Sequence, residues 1–128
     1  KSKILENYNY NSLQGRLHAQ KDIIANKMVK EMYMIPKYIS PCHAGSLFGV
    51  ISASGSVFPC EILEDKKIGE LRDFDMNFMK MWKGEMTKQV KKFILKSKCH
   101  CTYECALSYN ILSNWRYQPK LFAAAIKK

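Results

Sequence analysis

The chain has 128 residues, is 47% hydrophobic and 25% charged, and carries a formal net charge of +10. That length supports one modest core, and no apolar run approaches the roughly 20 residues of a membrane-crossing helix. The chain opens on Lys1 with no signal-peptide pattern, so it is expected to be a fragment of a longer cytoplasmic protein.

Residues 1–11 are polar, with alternating Asn and Tyr, and read as a connector. Ser12 is a candidate N-cap. Leu13, Leu17, Ile24, Met28 and Met32 then recur at spacings of four or seven, which predicts an amphipathic helix to about Met34 with that stripe in the core. Pro36 ends it, and Pro41 keeps the approach to Cys42 extended. Residues 1–40 are therefore expected to link an absent upstream domain to a domain over 41–128.

Leu47–Ile51 and Val57–Phe58 are short β-prone runs on either side of Ser52-Ala53-Ser54-Gly55, the pattern of a hairpin in which Gly55 takes a positive φ. Pro59 is expected where the ladder needs no donor. After a charged loop, Asp73 or Asp75 is a candidate cap for a helix carrying Phe74, Phe78, Met81 and Trp82, with Gly84 as its stop. A further helix over about Glu85 to Ser97 presents Met86, Val90, Phe93 and Ile94 on one face. A helix over about Tyr103 to Asn114, a loop at 115–119 and a last helical turn or two over Leu121–Ile126 complete the chain. The fold class is α+β: an N-terminal helix, a β-hairpin and several C-terminal helices.

Five cysteines punctuate this scaffold: Cys42, Cys60, Cys99, Cys101 and Cys105. An odd number, with close spacings and no mark of secretion, points to thiolates rather than disulfides. The hairpin folds Cys42 and Cys60 back on each other. Cys101 and Cys105 match one helical turn, so both sulfurs can face one way. Four or five sulfurs around one point suit a soft metal or an iron–sulfur cluster. Amides at the start of the following helix would favour negative charge there. His43 and His100 adjoin cysteines, so either could be a ligand; they are read first as neighbours of the shell or as exposed.

The lysines between Lys80 and Lys98 fall largely opposite the apolar positions of their helix and read as a solvated face. With only three arginines in the chain, nucleic acid is not the expected partner. No P-loop, dinucleotide fingerprint or Ser/His/Asp arrangement occurs.

Cys42, Gly55 and Cys60 fit the form C-x(9–15)-G-x4-C. With Gly55-Ser-Val-Phe-Pro-Cys60, Gly69-Glu-Leu-Arg72, the Phe78–Trp82 segment and the later cysteines, the chain from about Pro41 to Asn114 resembles the SPASM/Twitch domain. That domain carries auxiliary clusters at the C-terminal end of radical S-adenosylmethionine (radical SAM) enzymes. The resemblance implies one [4Fe-4S] cluster, with Cys42 and Cys60 as the hairpin pair and Cys105 as a third ligand. The fourth is Cys101, with Cys99 as the alternative. A full SPASM domain has seven cysteines and often two clusters, so this chain is closer to the single-cluster Twitch form.

The C-x3-C-x2-C triad that cleaves S-adenosylmethionine is absent, so this chain should not be catalytic alone. The resemblance implies that the S-adenosylmethionine site and the barrel lie upstream in the same parent protein, which acts on a peptide or small-molecule substrate. The cluster would relay electrons or engage substrate. The reading from another class is a structural zinc module that meets nucleic acid or protein through its lysine face.

Overall fold

The computed structural model describes residues 11–126, so the expected connector over 1–11 lies almost wholly outside the described residues. In chain order the elements are α1 (Leu13–Met34), β1 (Val50–Ile51), β2 (Ser56–Phe58), β3 (Gly69–Glu70), a 3-10 turn (Leu71–Phe74), α2 (Phe78–Trp82), α3 (Glu85–Lys96), α4 (Glu104–Ser113) and α5 (Gln118–Ile126). The class is α+β, as expected. The chain forms two compact units, one from Lys1–Pro41 with His100–Lys128, the other from Cys42–Cys99. No helix among the described residues is long and apolar enough to cross a membrane.

The first unit is helical. Ser12 Oγ accepts from the Gly15 N–H at 3.0 Å, so α1 begins at its expected cap. It ends where Ile35 turns extended before Pro36, whose ring disfavours helix in the residue ahead of it. Ile24, Ala25, Met28 and Met32 of α1 pack with Leu107 and Ile111 of α4 and Leu121 of α5. Leu13 does not join this core and stays exposed. Buried Asn114 donates from Nδ2 to Ser40 Oγ at 3.1 Å, so the polar pair is satisfied. The last helix starts at Gln118, earlier than expected. Pro119, read from sequence as loop, sits in the first turn, where its missing N–H costs nothing.

The second unit is built on a three-stranded antiparallel sheet in the order β1-β2-β3. Val50 pairs with Phe58 and Ile51 with Val57, which gives the expected hairpin. Gly55 takes φ +95° in its turn. The third strand was not expected. Gly69 and Glu70 pair with Val57 and Ser56 although neither favours strand, so the partner specifies it. Gly49 lies under Trp82, and a Cβ there would stand 2.7 Å from a ring carbon.

The expected continuous helix through Phe74 is broken. Asp75 and Met76 take φ of 54° and 60°, and Asn77, not Asp73 or Asp75, caps α2 through its side chain. α2 ends at Trp82 with Lys83 as its C-cap, directly before Gly84 as expected, and Gly84 is also the N-cap of α3. The buried face of α3 is Thr87, Val90 and Ile94, whereas Met86 and Phe93 are exposed. Thr87 can be buried because its hydroxyl donates to the Met81 carbonyl at 3.1 Å. Ala44, Val57, Ile68, Leu71, Met81, Val90 and Ile94 form the core of this unit.

Candidate metal centre

Cys42 opens a tight turn. The His43 carbonyl accepts from the Ser46 and Leu47 N–H groups at 3.0 and 2.9 Å, and the Gly45 N–H donates to Phe48 O at 2.9 Å. A Cβ on Gly45 would stand 3.5 Å from Pro59 Cβ, so this turn rests against the residue before Cys60. Pro59 is fully buried at the end of β2, where the ladder asks no N–H of it. The hairpin thus carries Cys42 and Cys60 to neighbouring places on one core, and both are half-buried against it.

Cys99 reaches the same core by another route. At the end of α3, Lys98 takes φ 50°, the Cys99 N–H donates to Ile94 O at 3.1 Å and the Lys98 N–H to Leu95 O at 3.3 Å. This pair of bonds is a Schellman closure with Cys99 in the position that packs back on the helix. Ile94, the residue it bonds, is buried in that core, and Cys99 packs half-buried against it. Sequence reasoning missed this placement because a Schellman motif usually shows a glycine where this chain has Lys98.

Cys101 and Cys105 belong to the helical unit. They do not share a helical turn. α4 begins at Glu104 with Tyr103 as its cap, so Cys101 precedes the helix in an irregular stretch and only Cys105 lies on it. Cys105 is exposed and lines a cleft of about 240 Å³ with Lys21, Asp22, Asn26, Glu104 and Ser108. Lys21 Nζ donates to Ser108 Oγ at 3.2 Å and pairs with Asp22 at 2.8 Å. Tyr103 offers no side-chain cap, so the first amides of α4 receive no acceptor from it.

The ionised groups of the second unit lie on its rim. Glu70 is held below the usual carboxylate range by Lys67 first and by the Ser56 hydroxyl second. Asp65 is lowered mainly by Lys66.

None of the five cysteines is in a disulfide. Within either unit, the described residues hold no group of three His, Cys, Asp or Glu side chains gathered as a metal site. Cys42, Cys60 and Cys99 therefore share a core without converging on one point. The chemistry of this donor set, thiols at the rim of an apolar core, fits an iron–sulfur cluster, whose irons take thiolate ligands.

A family model for the SPASM iron–sulfur cluster-binding domain matches residues 42–106. The match opens on Cys42, takes in all five cysteines and covers half of the chain, ending short of the expected Asn114. The chain belongs to this family of cluster-binding domains. No curated protein and no solved structure matches it.

Proposed function

We propose that this chain holds a single [4Fe-4S] cluster as the C-terminal auxiliary domain of a radical SAM enzyme. The observation that carries the ligand assignment is the shared packing of Cys42, Cys60 and Cys99 on one core, in a chain of the SPASM family. Four thiolates complete the shell of such a cluster. Cys105 is a ligand in this reading, and Cys99 and Cys101 are the alternatives for the one remaining place. The sequence pattern alone leaned to Cys101 over Cys99; the packing of Cys99 on the same core as Cys42 and Cys60 supports Cys99 instead.

Bound there, the cluster supplies one-electron chemistry. The residues of this chain hold it and set its surroundings. The Cys42 turn and the buried Pro59 fix the hairpin thiols, and the closure at Lys98 fixes Cys99. Val57, Ile68, Met81 and Ile94 are buried in the core on which Cys42, Cys60 and Cys99 pack, and would give a cluster held by those thiols an apolar neighbour, which tunes redox potential. This chain has no C-x3-C-x2-C triad; in this reading S-adenosylmethionine and the peptide or small-molecule substrate bind to a barrel of the same parent protein. Full cysteine ligation favours electron relay over direct binding of substrate.

Anaerobic purification followed by iron, sulfide and zinc analysis tests the reading. About four irons and four sulfides per chain, with broad absorbance near ~400 nm, are expected. One zinc with no sulfide would overturn it in favour of a structural zinc site.

A further inference from the structure

The helical unit carries a surface groove of about 660 Å³, lined by Leu13 and Leu17 of α1, Leu112 of α4, Trp115, and Leu121 and Phe122 of α5. Its remaining lining residues carry no charge. Leu121 forms the floor from the core, but Trp115 is 80% exposed, Phe122 69%, Leu13 57% and Leu112 49%. Single exposed apolar residues are ordinary. Four of them around one uncharged groove make a patch of the kind that another apolar segment covers.

The groove begins where the chain enters α1. Ser12, the cap, is extended with φ −102° and ψ 147°, directly before Leu13 on the groove wall. The run Ile4-Leu5-Glu6-Asn7-Tyr8-Asn9-Tyr10 comes just ahead of it, outside the described residues. Ile4, Leu5 and Tyr8 stand at i, i+1 and i+4, the spacing of one side of a helical turn. The one acid of the run, Glu6, has a counterpart of opposite charge in Arg16, next to Leu17 on α1. Ile4 lies eight residues before Ser12, a reach of up to roughly 27 Å, whereas the nine residues of α5 span about 14 Å. The run can therefore lie along the whole groove. A segment tethered at the rim also acts at an effective concentration on the order of millimolar, which favours it over a second copy of the chain.

We propose that residues 4–10 fold back over this groove, with Ile4, Leu5 and Tyr8 against Trp115 and Phe122. The connector is then a strap that belongs to the helical unit and holds the chain leading into α1 against it. This goes beyond the cluster reading and does not depend on it.

Hydrogen exchange of the full chain, read by mass spectrometry, tests the strap. The parent is compared with the double variant Trp115→Ser, Phe122→Ser. Both side chains are largely exposed, so their loss should spare the core of α1, α4 and α5, and protection over residues 24–32 checks this in the same data. Amides of residues 5–10 are expected to exchange at least about tenfold more slowly in the parent than in the variant, at every protein concentration. In the triple variant Ile4→Ser, Leu5→Ser, Tyr8→Ser, labelling of Trp115 by hydroxyl radicals should rise above that in the parent. Equal exchange over 5–10 in parent and double variant, or unchanged labelling of Trp115 in the triple variant, would overturn the proposal. So would protection that grows with protein concentration, which gives the groove to a second copy.

Discussion

The two units solve the same problem with different means. The helical unit closes an aliphatic core from three helices, with Met28, Met32, Leu107, Ile111 and Leu121 at its centre. Its ends are handled locally, by Ser12 at the start of α1 and Pro36 just past the end. The Cys42–Cys99 unit has strands of only two or three residues, and three thiols sit at the rim of its core. Sheets this small are marginal alone, and domains below roughly 70–80 residues usually need a staple. The difference teaches that one unit closes its core with aliphatic side chains, while the other places three half-buried thiols against its core. A cluster held there, as proposed, would contribute to folding as well as to function.

The largest expected effect comes from taking the cluster away. Chelation under anaerobic conditions should strip hydrogen-exchange protection from β2, β3 and α3, and leave the centres of α1 and α4 protected. Equal loss in both units would break the contrast. Next come two buried side chains of similar depth. Met81→Ala and Ile111→Ala should each cost about 2–5 kcal/mol in denaturant unfolding. Iron content should fall further for Met81→Ala, because the core around Met81 carries three of the proposed ligands, whereas the helical core around Ile111 carries one, Cys105. The chain's two tryptophans help here, since Trp82 belongs to the second unit and exposed Trp115 to the first. A Trp115→Phe background lets fluorescence follow the second unit alone.

A smaller effect is expected at Gly49. An added Cβ would collide with the Trp82 ring, so Gly49→Ala should cost about 1–3 kcal/mol and shift Trp82 emission. The smallest, and of opposite sign, is at Lys98. Its left-handed backbone strains any side chain, so Lys98→Gly should raise stability by up to about 1 kcal/mol in the same unfolding assay. Destabilisation by that change would argue against the closure that places Cys99.

Much of the scaffold was legible in the sequence, for reasons that can be named. Ser12 and Pro36 bracket α1, and Gly55 marks the hairpin turn. The SPASM resemblance rested on the spacing of Cys42, Gly55 and Cys60, and the family match confirms it. What stayed hidden depends on tertiary context. β3 exists because Val57 and Ser56 offer a free edge, not because Gly69-Glu70 prefers strand. Asp75 and Met76 take positive φ with no glycine to announce it. Periodicity put Met86 and Phe93 on the inner face of α3, but the Thr87 hydroxyl finds the Met81 carbonyl and turns the buried face towards Thr87. At the centre, Cys101 and Cys105 had helical spacing, yet α4 starts only at Glu104. Cys99 reaches its place through a backbone closure that no residue pattern declared.

The most direct measurement compares anaerobically purified Cys99→Ala and Cys101→Ala for iron and acid-labile sulfide, beside the parent chain. If the Cys42–Cys99 unit supplies three of the four ligands, Cys99→Ala should lose most of its iron and sulfide. Cys101→Ala should keep about four of each, as the parent does. Full retention in Cys99→Ala with loss in Cys101→Ala would contradict the assignment and return the fourth thiolate to Cys101.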